Sequence, residues 1–227
     1  MGPKWRALEV LSSLPYFAGL EPATLEAVAN AAVQQKYEAG EIVFMEGEPC
    51  LGLYLVQDGW LKAHKLSPAG REIVVRVIGP GEAFNEVGVL SGGNNLLTVR
   101  VLEKSVVWLI QRQALLQLME RYPQIGRLIS QNLARRVEFL VKLIDDLSLC
   151  TVEGRLARLL LEQSNQNVIT RQRWATQAEI AARLGTVPGV VSRILHSLAD
   201  KGLIRIERHQ IHILDRQGLE DKALRGD

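Results

Sequence analysis

Between Gly40 and Ile110 the chain consists almost entirely of short β-type runs, with glycine at nearly every gap. The runs are EIVFM, GLYLVQ, WLKAHKL, EIVVRVI, LLTVRVL and SVVWLI. Gly40, Gly47, Gly52 and the turn signals QDG, SPAG, GPG and SGGNN stand between them. Strands this short and this regularly spaced predict a double-sheet jelly roll or a barrel.

Helical periodicity takes over on both sides of that region. In GLEPATLEAVANAAV, Pro22 suits a first helical turn and Leu25, Val28, Ala29 and Ala32 keep helical spacing. After Pro123, residues Leu133, Val137, Leu140, Ile144 and Leu147 alternate steps of four and three, the a/d seam of a coiled coil. The spacing predicts a helix over Gln124–Leu149, about 39 Å long at ~1.5 Å per residue. Phe139, Val141 and Leu143 add apolar surface on its other faces. Such a helix either meets a twin across the seam or buries it within its own domain.

The C-terminal part has a different grammar. LSLCTVEGRLARLLLEQ is helical, NVITRQRW follows, and ATQAEIAARLG opens a second helix. Thr176 followed three residues later by Glu179 is a capping box, Ile180, Ala181 and Leu184 form its apolar stripe, and Gly185 supplies a left-handed turn. Another helix, VVSRILHSLADKG, ends at Gly202. Then LIRIE, a turn around Arg208 and His209, and QIHIL make a hairpin. Helix, turn, helix and hairpin predict a winged helix-turn-helix.

At 227 residues, 47% hydrophobic and 23% charged, the chain has room for two domains with real cores. From Cys150 onward it holds 12 Lys+Arg against 9 Asp+Glu, leaving 15 against 16 in residues 1–149. The basic excess falls where the winged helix is predicted, as a phosphate-facing surface requires. No apolar run approaches the ~18 residues that span a bilayer, and MGPKWRALEV lacks the apolar core of a signal peptide, so a cytoplasmic protein without membrane contact is expected. Cys50 and Cys150 lie too far apart in sequence for a CxxC metal or redox motif and read as free thiols.

These segments, in this order, resemble the catabolite activator / fumarate–nitrate regulator (CRP/FNR) family of bacterial transcription factors over nearly the whole chain. LPYFAGLEPATLEAVA resembles the family's N-terminal helices, and YEAGEIVFMEGEPCLGLYLVQDGWLKAHKLSPAGREIVVRVIGPGEAF its cyclic-nucleotide-binding roll. ARRVEFL sits where the dimer helix runs, and ATQAEIAARLG…VVSRIL resembles the DNA-binding signature. The resemblance implies an α+β architecture. A sensor jelly roll would occupy residues 1–123, a dimerisation helix 124–149 and a winged helix-turn-helix 150–227. It also implies a homodimer on near-palindromic double-stranded DNA, with RNA polymerase as a further partner.

The family's reading helix commonly carries a Glu and an Arg with Ser or Gly before the latter. Ser192 and Arg193 match that final pair, whereas Gly189 stands at the Glu position and Pro188 precedes it. With Thr186 as N-cap, Pro188 falls at the second helical position, where no intrahelical bond is lost. Expected DNA contacts are Arg193, Ser192, Val187 and the stripped tip Thr186, Pro188 and Gly189, with Thr176, Gln177 and Arg205 on phosphate.

In the cyclic-AMP-binding members a phosphate cassette reads roughly G-E-L-A…R-S-A. Here Glu86 matches, but Asn85 replaces the Gly and the Arg-Ser pair falls on Asn95 and Leu96. A cyclic phosphate buried without its Arg would lose a charge-assisted bond, so cyclic AMP is not expected to bind. Two polar positions of the family's dimer helix align with Leu140 and Val141. The candidate pocket, Phe84, Asn85, Glu86, Val87, Asn95, Leu96, Leu97, Leu140 and Val141, therefore reads as apolar. Three occupancies stay open: an apolar ligand or haem; Leu96, Leu97, Leu140 and Val141 themselves, leaving a regulator set by abundance; or cyclic nucleotide in a changed mode. Axial ligation of haem would fall to His64, Met45, Cys50 or Cys150. The N-terminal cysteine cluster of the family's iron–sulfur sensors is absent. A cupin-type enzyme would need several roll histidines where only His64 stands, and no catalytic residue or metal site is expected. An interaction-only scaffold would leave the winged helix unexplained.

Overall fold

Strand β3 (Gly52–Asp58) explains how the N-terminal region is layered. Its residues 52–56 are all buried, so both faces of the strand are covered. Leu53 and Leu55 point to one side and Tyr54 and Val56 to the other. The computed structural model describes residues 3–68, 70, 72–170, 175–208 and 210–224, and the side chains of residues 3–6, 142, 143, 145–149 and 224 lie outside that description.

Two four-stranded sheets make the roll. One runs in the order β1 (Ala32–Tyr37), β8 (Ser105–Gln111), β3, β6 (Ala83–Phe84); the other runs β2 (Ile42–Phe44), β7 (Thr98–Val101), β4 (Leu61–Leu66), β5 (Glu72–Ile78). Between them lies a core of Phe44, Tyr54, Val56, Leu61, Phe84, Val99 and Leu109, with Tyr54 stacked on Phe84 at 5.1 Å between centroids. The outer face of the first sheet carries Leu53, Leu55, Trp108 and Ile110. They pack with residues of α1 (Pro3–Ser13), α2 (Pro22–Ala31), α4 (Arg112–Arg121) and the first part of α5 (Pro123–Leu149), notably Leu11, Val28, Leu115, Ile125 and Ile129. Each such side chain contributes about 1.5–3 kcal/mol on burial. A short helix, α3 (Glu86–Ser91), follows β6.

The winged-helix core joins α6 (Val152–Gln163), α7 (Gln177–Arg183), α8 (Pro188–Asp200) and α9 (Arg216–Leu224) to a three-stranded sheet in the order β10 (Ile204–Ile206), β11 (Gln210–Ile213), β9 (Val168–Thr170). Leu156, Leu160, Leu184, Val191, Leu195, Leu198, Ile204 and Leu219 fill it. Thr151 caps α6, its hydroxyl accepting from the Gly154 N–H at 3.1 Å. Arg155 donates through Nη1 to the Cys150 carbonyl and through Nη2 to that of Leu184, at 2.7 and 2.9 Å, tying the start of α6 to the end of α7. The chain divides into two compact units, residues 1–70 with 75–137 and residues 71–74 with 138–227.

Three elements differ from the sequence reading. The helix predicted through Ala32 ends at Ala31, and AVQQKY is strand β1 on the edge of its sheet, where Gln and Lys meet solvent. NVITRQRW contains β9, which extends the wing to three strands, and DRQGLEDKALRGD contains α9. His209 and residues 171–174, in the wing turn and before α7, lie outside the described residues.

Candidate functional site

The reading surface is built from two short-range signals. Thr176 is the N-cap of α7 and accepts from the Glu179 N–H at 3.2 Å. Gly185, at φ 65°, takes the left-handed position that ends α7, and Thr186 N–H then returns to the Ala181 carbonyl at 2.9 Å. The N-cap of α8 is Val187 rather than the expected Thr186, which puts Pro188 at the first helical position. Proline is best suited there, because its fixed φ is helical and no N–H is missed. The Val187 carbonyl accepts from Val190 and Val191 at 3.0 and 3.3 Å.

Past the tip, Gly189, Ser192, Arg193, His196, Ser197, Asp200 and Lys201 line one continuous concave surface along α8. Val187, Pro188, Gly189 and Arg193 are exposed, while Val191, Leu195 and Leu198 on the opposite face are buried. Nothing lies within 4 Å of where a Cβ on Gly189 would stand. Gln177 and Arg205 border a second groove together with His196, and Thr176 is exposed beside them. His196 and Lys201 were not anticipated from the sequence. His196 stands three, four and seven residues beyond Arg193, Ser192 and Gly189, and that spacing is the signal that would have found it.

In the roll, Asn85 holds φ 76°, a left-handed conformation that Asn tolerates and most side chains do not. Its Nδ2 lies 2.9 Å from Asn95 Oδ1, 3.2 Å from the Gly52 carbonyl and 3.2 Å from Cys50 Sγ. Asn95, 3% exposed, donates through Nδ2 to the Met45 carbonyl at 3.3 Å; its backbone N–H donates to Glu48 and its carbonyl accepts from Gly47. Two amides thus knit the β2–β3 turn, the start of α3 and the 94–95 loop. Gly88 is needed for this closeness, since a Cβ there would meet Asn85 Oδ1 at 2.9 Å and Cys50 Sγ at 3.0 Å. Burial pushes the Cys50 thiol up, and its hydrogen bonds and Arg112 oppose that only in part.

Glu86 is 6% exposed, and Arg136 Nη2 of α5 approaches its carboxylate at 3.9 Å. Burial lowers the Arg136 guanidinium below its ordinary value, repulsion from Arg76 adds to that, and Glu86 opposes it. Arg76 is engaged by the Ala83 carbonyl at 3.1 Å and by Glu82. Tyr16 is buried, its hydroxyl has no hydrogen-bond partner among the described residues, and burial together with the Glu86 charge drives its ionisation far upward. On its roll side the candidate pocket presents the polar Asn85, Glu86 and Asn95 beside Phe84. Leu96 is 58% exposed and Val87 is exposed too, while Leu97 packs against the inter-sheet core with Phe84. Of the residues considered for haem, His64 is buried in β4, Met45 is largely exposed, and Cys50 and Cys150 are free thiols.

Comparison with known proteins matches residues 34–122 to the cyclic nucleotide-binding domain and residues 154–222 to the Crp-like helix-turn-helix domain. The chain is 30% identical over 214 residues to the flp protein of Lacticaseibacillus casei, covering 92% of this chain and 96% of that one. The chain belongs to the CRP/FNR family. It is 29% identical over 222 residues to the CRP-like cAMP-activated global transcriptional regulator of Mycobacterium tuberculosis, covering 95% of this chain and 99% of that protein. The Catabolite Activator Protein structure from Thermus thermophilus superposes with a TM-score of 0.55 at 28% identity, covering 92% of this chain and 98% of that one. FixK2 from Bradyrhizobium japonicum shares the fold at a TM-score of 0.76, 24% identity and coverage of 86% and 99%.

As a CRP/FNR protein the chain is a transcription regulator with a DNA-binding helix-turn-helix and a cyclic-nucleotide-binding-type roll. No helix among the described residues is long and apolar enough to cross a membrane. On α5, Val137, Leu140, Val141 and Ile144 are exposed, with Val137 at 59% and Ile144 at 62%. Leu133 is instead half-buried against the helical core of the roll, and the Leu147 side chain lies outside those described.

Proposed function

We propose that this CRP/FNR regulator acts in the cytoplasm as a sequence-specific homodimer on near-palindromic DNA, works with RNA polymerase, catalyses no reaction and does not respond to cyclic AMP. The observation that carries the DNA reading is the outward stripe of α8, exposed Gly189 and Arg193 with half-buried Ser192, on a helix whose other face is the domain core. A helix entering the major groove tip first presents such a stripe to base edges. Arg193 can reach guanine O6 and N7 with both guanidinium nitrogens, worth about 1–3 kcal/mol of discrimination. Arg193→Ala is therefore expected to abolish preference at one symmetric G·C pair per half-site while leaving binding to random DNA nearly unchanged. Parallel selection and anisotropy measurements check this. Equal loss on selected and random duplexes would make Arg193 a phosphate contact.

Dimerisation is supported by the apolar exposed face of α5 and by the family's habit. Independence from cyclic AMP is supported by Asn85 and Asn95, whose amides are spent on each other and on backbone. One observation favours a second reading of the effector. Glu86 and Arg136 stand 3.9 Å apart, too far for a hydrogen bond, and the buried Tyr16 hydroxyl has no hydrogen-bond partner among the described residues. An uncharged effector bearing hydroxyl groups would supply what these groups lack. Melting the protein with adenosine, which has the hydroxyls without a phosphate, tests it. A rise in Tm that Glu86→Gln removes supports this reading, and no rise in the wild type discards it.

A further inference from the structure

His196 is exposed two helical turns beyond Gly189, on the stripe that carries Ser192 and Arg193. It also borders the groove of about 530 Å³ shared by Gln177 of α7 and Arg205 of β10, floored by Ile180, Leu195 and Ile204. Three elements thus bring an amide, an imidazole and a guanidinium to one concave surface. His196 Nδ1 lies 2.7 Å from the Ser192 carbonyl oxygen. A carbonyl only accepts, so Nδ1 holds a proton and Nε2, across the ring, is directed away from the helix backbone. Neutral, Nε2 offers a lone pair; protonated, it offers a donor and a full positive charge.

Position along the helix decides what Nε2 meets. At ~1.5 Å per residue, seven residues lift His196 about 10 Å from Gly189, more than the ~8.5 Å depth of the major groove. With the tip among the bases, His196 stands at the rim, where the phosphates are. The charged groups around it are Arg193, Asp200 and Lys201 on its own helix and Arg205 on β10, while α7 adds the neutral Gln177. A neutral imidazole turned toward a phosphate sets a lone pair against an anion; protonation reverses the sign of that contact.

We propose that His196 joins Gln177 and Arg205 in clamping a DNA backbone phosphate, and that protonation at Nε2 makes the grip on DNA pH-dependent. The proposal rests on the DNA-reading assignment of α8. Each protomer then takes up a proton from solvent on binding, so affinity rises as pH falls.

The test uses the full-length protein and a labelled duplex of arbitrary sequence, about three helical turns or ~30 base pairs long. Anisotropy is read against salt near pH 8 and near pH 5.5. The wild type is expected to steepen its log K against log salt slope by about one per protomer at the lower pH. His196→Ala should hold the shallow slope at both pH values, and His196→Lys the steep slope at both. Equal pH responses of wild type and His196→Ala, with both binding, would overturn the clamp, as would a His196→Lys variant no steeper than His196→Ala. Wild-type protein that binds no duplex at either pH removes the assignment of α8 itself, and this proposal with it.

Discussion

At position 189 the fold asks for no glycine. The residue lies inside α8 without a left-handed φ, open space surrounds its missing Cβ, and glycine there costs about 1 kcal/mol relative to alanine. A residue kept against stability, on the exposed face beside Arg193, points to close approach of the DNA backbone or bases. Gly189→Ala should therefore stabilise the winged helix by about 0.4–1 kcal/mol and raise its Tm, yet weaken binding to a selected duplex. A higher melting temperature with unchanged affinity would show that the bare tip has no role. The Thr176 cap and the Gly185 turn were legible in the sequence because caps and turns sit at fixed short offsets. The Asn85–Asn95 bond was not, since it joins two loops whose approach depends on the roll. Pro188 shows the margin of such readings: the helix was expected with its cap at Thr186, one residue before the observed cap Val187.

Among elements, the most consequential is α5. Its first turns bury Ile125 and Ile129 against the roll, whereas Val137, Leu140 and Ile144 farther along leave an apolar face in solvent. A face like that in a helix of 27 residues is stable in water when it meets its own copy across a two-fold axis. Leu140→Asp would place charges face to face in that seam. Light scattering is expected to give a monomer for this variant and a dimer for the wild type; a dimer mass retained by Leu140→Asp would leave the face without this partner. The exposed apolar positions Val137, Leu140 and Ile144 could be read from sequence because their spacing is helical and they are strongly apolar, whereas Leu133 of the same pattern packs on the roll instead. β1 could not, because a polar edge strand carries no such period, and α9 could not, because among its described side chains Leu219 and Ala223 alone are buried in the core.

For the whole molecule the issue is what sets the DNA-binding state. Two winged helices on a two-fold dimer would meet half-sites about 34 Å apart, one turn of DNA, and a family sensor changes their affinity by binding its ligand better in one state. A ligand can shift that balance only by its differential affinity. The roll here offers cyclic AMP a buried Glu86 for a hydroxyl, but at the cassette's arginine position stands Asn95, 3% exposed and already hydrogen-bonded to Asn85 and Met45. A phosphate placed there would have to break those amide bonds and would find no cation from that position in exchange. Arg76 does not step in without cost, because it is held by Glu82 and the Ala83 carbonyl. Calorimetry is therefore expected to give no binding heat with cyclic AMP at micromolar concentration, and DNA affinity should be the same with and without it. Restoring the cassette as Asn85→Gly with Asn95→Arg should create binding where the wild type has none. Micromolar binding by the wild type, or DNA affinity that rises with cyclic AMP, would mean that the phosphate is held by residues other than the cassette, with Arg76 and Arg136 the first to replace.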